Sequence, residues 1–89
     1  MISYGDSVSR DLKKRKLPKE IFGLFHHAFV ALETTGDLNL FDIKRLKANE
    51  NRAYFRMRKG KYRALFFIEK GDYFIFEIKK RSEVYEQWP

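Results

Sequence analysis

Cysteine is absent from the 89 residues, which removes disulfide staples and thiolate-ligated zinc from consideration. A small domain without staples suits a reducing compartment, so a cytoplasmic location is the expectation. No apolar run approaches the ~20 residues needed to span a bilayer. The opening residues Met1-Ile2-Ser3-Tyr4-Gly5-Asp6 lack the basic region followed by an apolar core that marks a signal peptide. Linkers, internal repeats and low-complexity tracts are missing too. Residues 1–89 therefore read as one soluble domain around one core. Histidine is scarce: His26 and His27 are adjacent, and none follows them. On a helix two neighbours point ~100° apart, not along one face, so surface or edge positions are predicted and a metal site is not.

Aromatic residues are plentiful instead. Nine Phe, five Tyr and one Trp make up 17% of the chain, and each can bury a large area. Charge is unbalanced, at a formal net +7, and unevenly placed. Arg10 to Glu20 holds six basic and two acidic residues, and Lys44 to Arg63 holds nine basic and one acidic. Ala64 to Pro89 holds four basic and five acidic residues. A surplus concentrated in two stretches is the pattern of a phosphate-facing surface or of a surface for an acidic protein. A merely solubilising surface is the plain alternative.

Ser7 to Lys16 reads as a short basic helix with Ser7 or Ser9 as its cap. Leu17-Pro18 interrupts it, and Pro18 then suits the start of a second helix over about Lys19 to Glu33. Ile21, Leu24, Phe25, Ala28, Phe29 and Leu32 recur there at three- and four-residue spacing, giving one apolar stripe. Thr34-Thr35-Gly36-Asp37 ends it. A weak strand is expected around Phe41 to Leu46. Ala53 to Arg58 alternates, with Tyr54, Arg56 and Arg58 on one side and Phe55 and Met57 on the other. Turns at Lys59-Gly60-Lys61 and Lys70-Gly71-Asp72 flank an apolar strand from Tyr62 to Glu69. Tyr73 to Lys79 alternates again, setting Tyr73, Ile75, Glu77 and Lys79 against Phe74, Phe76 and Ile78. Tyr54, Tyr62 and Tyr73 are expected to pack on the sheet, and Trp88 to close the end of the core. Helices followed by an antiparallel meander of three or four strands define an α+β domain.

From Tyr54 the chain runs Tyr54-Phe55-Arg56-Met57-Arg58, then Gly60-Lys61-Tyr62-Arg63, two aromatic strands, and Arg81-Ser82-Glu83-Val84-Tyr85. This order resembles the RelE/ParE toxin superfamily: an aromatic-Arg-x-Arg strand, a Gly-x-Tyr-Arg turn, an apolar hairpin and a closing Arg-x-x-Val-Tyr. The match covers roughly the last half of the chain, and the helical hairpin before it also fits. The resemblance implies a helical hairpin packed on a curved antiparallel sheet and a cognate antitoxin partner. It further implies metal-independent cleavage of mRNA at the ribosome, with no cofactor. In that reaction the 2′-hydroxyl attacks the adjacent phosphate and the 5′-hydroxyl leaves. Arg56, Arg58, Arg63, Arg81 and Tyr85 stand at the positions that serve this reaction in the family.

Elementary chemistry supports part of that transfer. Arg56 and Arg58 are two apart on a strand and so share a face. Guanidinium forks bind phosphate bidentately and stay charged. Arg81 and Tyr85 share a face if the C-terminal piece is helical, and Tyr85 can then stack on a base or bond the ribose. Lys44, Arg45, Lys47, Arg52, Lys59 and Lys61, with Lys13 and Lys14 of the first basic stretch, are the expected RNA contacts.

Some relatives carry lysines where Arg56 and Arg58 stand, and others a C-terminal histidine. Arginine does not serve as a general base, so the base is left unassigned. Glu83 is the first candidate, beside Glu77 and Tyr85. Two other outcomes share the fold. The ParE branch poisons DNA gyrase by binding, and generally lacks the closing Arg and Tyr. A non-catalytic module would use its basic surface for an antitoxin, or for operator DNA within a toxin–antitoxin complex.

Overall fold

The computed structural model describes residues 1–46 and 52–82. The elements run β1 (Ile2–Tyr4), α1 (Asp6–Lys13), α2 (Lys19–Thr35), a single 3-10 turn, then β2 (Ile43–Arg45), β3 (Tyr54–Lys59), β4 (Tyr62–Glu69) and β5 (Asp72–Lys80). The five strands form one mixed sheet in the order β1-β5-β4-β3-β2. Two helices on one face of that sheet give the expected α+β architecture, with one strand more than the upper expectation. The additional strand is β1, which pairs parallel to β5, Ser3 opposite Phe74. Three residues are too few for alternation to register.

The core lies between helices and sheet. Val8, Leu17, Phe25, Ala28, Phe29 and Leu32 meet Met57, Ala64, Phe66, Tyr73, Ile75 and Ile78. Phe66 is its centre: its ring meets Phe29 edge-on at 4.9 Å and stacks near Phe55 at 5.5 Å. Tyr73 packs as expected, its hydroxyl donating to the Leu32 carbonyl at 3.3 Å. Both glycine turns form where the sequence put them. At the second, Lys70 and Gly71 both take positive φ, 52° and 81°, the pair of left-handed residues that a tight hairpin needs.

Four local expectations are corrected. Gly5, not Ser7 or Ser9, caps α1, and no side chain bonds the free amides there. The chain crosses β5 closely at this point: Gly5 donates its N–H to the Ile75 carbonyl at 2.8 Å, and a Cβ would lie 3.3 Å from the Phe76 Cα. α1 stops at Lys13 because Arg15 turns left-handed, with φ 59°, and Lys16 and Leu17 both donate back to the Asp11 carbonyl. Leu24 leaves the apolar stripe and is 55% exposed, since the sheet covers a narrower arc of α2 than its apolar residues occupy. On β5, a register shift between Leu65 and Phe66 leaves Leu65 opposite Glu77 but Phe66 opposite Ile75. Phe76 is the extra residue, as in a β-bulge. The alternation breaks there, so Ile78 joins Tyr73 and Ile75 in the core.

Candidate nucleic-acid interface

The sheet face turned away from the helices carries the candidate residues, in rows set by register. Tyr54, Phe67 and Phe74 lie opposite one another across β3, β4 and β5. Lys44, Arg56, Leu65 and Glu77 form the next row. Arg58 and Arg63 form the third, beside the β3–β4 turn, with Lys79 next in register but its side chain reaching Asp11 of α1. One end of the face is thus aromatic and the other cationic. Tyr54 meets Phe67 and Phe76 edge-on at 5.9 and 5.7 Å. Phe67 stacks on Phe74 at 5.0 Å.

Arg56 and Arg58 do share a face, and a carboxylate that sequence reading passed over stands between them. Asp42 Oδ2 accepts from Arg58 Nε at 2.5 Å, while its Oδ1 lies 3.8 Å from Arg56 Nη2. The Asp42 carbonyl also accepts the Arg58 N–H at 2.9 Å. An anion therefore already sits between the two guanidinium groups. Nothing around Asp42 in the sequence marked it, because its partners depend on how β2 registers against β3.

Arg63 is 3% exposed and donates from Nη1 to the Gly60 and Tyr62 carbonyls at 3.0 and 3.1 Å. It braces the β3–β4 turn as well as facing the cationic row. The backbone N–H of Arg81 bonds the Lys61 carbonyl at 2.9 Å, which draws the end of β5 to the same turn. Arg63 and Arg81 consequently border one depression of about 400 Å³ with Lys61, Lys80 and Gly60. Lys79 reaches two buried carboxylates, Asp11 at 3.7 Å and Glu77 at 3.8 Å. Glu77 is thus a partner of Lys79 at the cationic end.

The remaining candidates disperse. Lys44 is exposed in the Arg56 row, and Lys61 is exposed at the turn. Lys59 lies over the Phe41 ring at 4.8 Å. Arg52 stands at the aromatic end, its guanidinium 3.9 Å above Phe67 and 3.3 Å from Glu69. Arg45 is exposed in edge strand β2, and Lys13 and Lys14 at the end of α1. Lys47, Glu83, Tyr85 and Trp88 lie outside the described residues. Of the histidines, His27 is exposed as expected, but His26 is half-buried and its Nδ1 is hydrogen-bonded to the Tyr4 hydroxyl at 2.8 Å. Burial pushes the Tyr4 phenol up to about 12. No group of three metal-binding side chains occurs among the described residues, nor any helix long and apolar enough to cross a membrane.

No protein-family model and no curated protein matches the sequence. Solved structures do. A RelB–RelE antitoxin–toxin complex from Methanococcus jannaschii contains a chain with TM-score 0.74 and 24% identity, over 98% of this chain and 99% of that one. An archaeal RelE–RelB complex from Pyrococcus horikoshii OT3 gives TM-score 0.71 and 23% identity, over 90% of this chain and 92% of that one. The fold is therefore RelE-like and α+β. At such identities the likeness fixes the architecture and leaves the chemistry to the residues.

Proposed function

We propose that this chain is a cytoplasmic toxin of a toxin–antitoxin pair, acting as one domain that cleaves mRNA on the ribosome. The observation that carries the reading is the gathering of Arg56, Arg58, Arg63 and Arg81 around the β3–β4 end of a RelE-like sheet. In this reading the 2′-oxygen of one nucleotide attacks the adjacent phosphorus and gives up its proton. The 5′-oxygen of the next nucleotide departs and takes a proton, leaving a 2′,3′-cyclic or 3′ phosphate. Negative charge builds on the phosphoryl oxygens during that exchange, and fixed guanidinium groups lower its cost without reorganising. Tyr85 stacks on a base, and Glu83 is the first candidate for the base that takes the 2′ proton.

Lys44, Lys59 and Lys61 surround the arginines and hold flanking phosphates, with Arg45 on β2, and Lys47 is a further RNA contact. Arg52, Lys13 and Lys14 stand further away and contribute general attraction to RNA and ribosome. The antitoxin covers the same basic face, and the toxin–antitoxin complex meets operator DNA.

Primer extension on a reporter transcript after brief induction tests the reading, with an Arg81→Ala, Tyr85→Ala variant alongside. New cuts inside translated codons are expected, absent with the variant. An intact transcript would transfer the proposal to a binding function, and a gyrase supercoiling assay would follow.

A further inference from the structure

A second basic depression, about 430 Å³, opens between the end of α1 and the end of β5. Arg15, Lys16, Lys79, Lys80 and the Tyr62 ring border it, with Asp11 at its floor. Its cations come from two parts of the chain more than sixty residues apart, so they are gathered by folding and not by a run of sequence. Lys79 is engaged by Asp11 and Glu77. Arg15, Lys16 and Lys80 are exposed and make no ion pair among the described residues.

The backbone beneath points the same way. Arg15 holds a left-handed conformation, φ 59°, at the place where a helix ordinarily ends on glycine. An L-residue there carries a steric cost that glycine would not. The side chain kept at that cost stands on the rim of the depression. Continuity is the other argument: Lys80 borders both this depression and the one holding Arg63 and Arg81. Phosphate-binding cations beside an aromatic ring are the chemistry of a single-stranded nucleic-acid site.

We propose that this groove is a second phosphodiester subsite, which holds the single strand beyond the bond under attack. The inference rests on the reading that the chain acts on RNA. The strand passes from the arginine face over Lys80, lays a neighbouring base near Tyr62, and places a further phosphate between Arg15 and Lys16.

The test uses the full chain and fully 2′-O-methylated RNA, which cannot be cut, as an octanucleotide and a dinucleotide. An Arg15→Gly, Lys16→Gln variant removes both cations while relieving the left-handed strain, so its thermal midpoint is expected to hold or rise. Octanucleotide binding should weaken about fivefold to tenfold, the sum of two exposed charge contacts. The slope of log affinity against log salt should flatten by about 0.7, for the one phosphate that Arg15 and Lys16 share on a single strand. Dinucleotide binding should not change. Unchanged octanucleotide affinity and slope would overturn the subsite, as would an equal loss for the dinucleotide. A glutamate-rich peptide that loses affinity while RNA does not would overturn it too, and assign the groove to a peptide. Because binding is read on uncleavable RNA, the two readings fail separately. A length-dependent loss in a chain that cuts no transcript sinks only the nuclease, and a chain that cuts while the variant binds normally sinks only the subsite.

Discussion

Replacing Asp42 with asparagine should make the protein bind RNA more tightly while barely altering its stability. The substitution keeps the shape and the backbone carbonyl that accepts the Arg58 N–H, and removes only the negative charge between Arg56 and Arg58. That ion pair is open to solvent, with the side chains of Arg58 and Asp42 49% and 44% exposed. Pairs of this kind contribute about 0.2–1 kcal/mol, so unfolding should become easier by less than about 1 kcal/mol. A phosphate gripped by the same two arginines would lie within roughly 5 Å of the carboxylate. Repulsion between unit charges at that distance is about 0.8 kcal/mol in water and about 3 kcal/mol at an effective dielectric constant of 20. Exposure and salt place the effect near the lower figure, about 1 kcal/mol or fivefold in Kd. Fluorescence anisotropy with a 2′-O-methylated oligonucleotide at physiological salt measures it. Unchanged or weaker binding by the variant would refute the reasoning, and would mean that Asp42 sets the geometry of the arginines and does not compete with phosphate.

Two further predictions concern the fold. Phe66→Ala, at the fully buried centre of the aromatic core, should cost about 3–5 kcal/mol in denaturant unfolding, a large share of the ~4–13 kcal/mol expected at this length; a loss below about 1 kcal/mol would contradict the packing described. Tyr4, with its phenol raised to about 12 from an ordinary 10, favours the folded state only while protonated. Stability should be full below pH 10 and fall as pH climbs from 10 towards 12, because the unfolded phenol ionises first. Tyr4→Phe should flatten that decline relative to the parent and lose about 1 kcal/mol at neutral pH with the His26 bond. Identical alkaline curves would contradict the assignment.

The parts of the fold legible in the sequence were those written in local chemistry. The β4 limits, the glycine turns on either side of it, and the end of α2 at Gly36 follow from runs and punctuation that need no partner. Tertiary pairings were not legible. β1 is a strand only because β5 lies beside it. The bulge at Phe76 reverses the sides of a segment whose alternation reads as regular. Leu24 belongs to an apolar stripe by spacing and to the surface by the width of the sheet. At the site, the shared face of Arg56 and Arg58 followed from strand period. The Asp42 clamp and the Lys79 pair with Asp11 and Glu77 did not, because each joins residues whose proximity is made by register and by helix docking. Arg63 joined the cluster through the β3–β4 turn, which the glycine had marked.

The central claim is tested most directly with the purified chain, ribosomes programmed with a defined mRNA, and a copy of that mRNA carrying a 2′-deoxynucleotide at the cut position. The account predicts cleavage of the all-ribose message, leaving a 5′-hydroxyl and a 2′,3′-cyclic or 3′ phosphate. It predicts no cleavage of the deoxy message, and at least a hundredfold slower cutting by Arg81→Ala, on the scale of about 3 kcal/mol for a lost transition-state contact. Intact all-ribose message, or a cut that persists at the deoxy position, would contradict it.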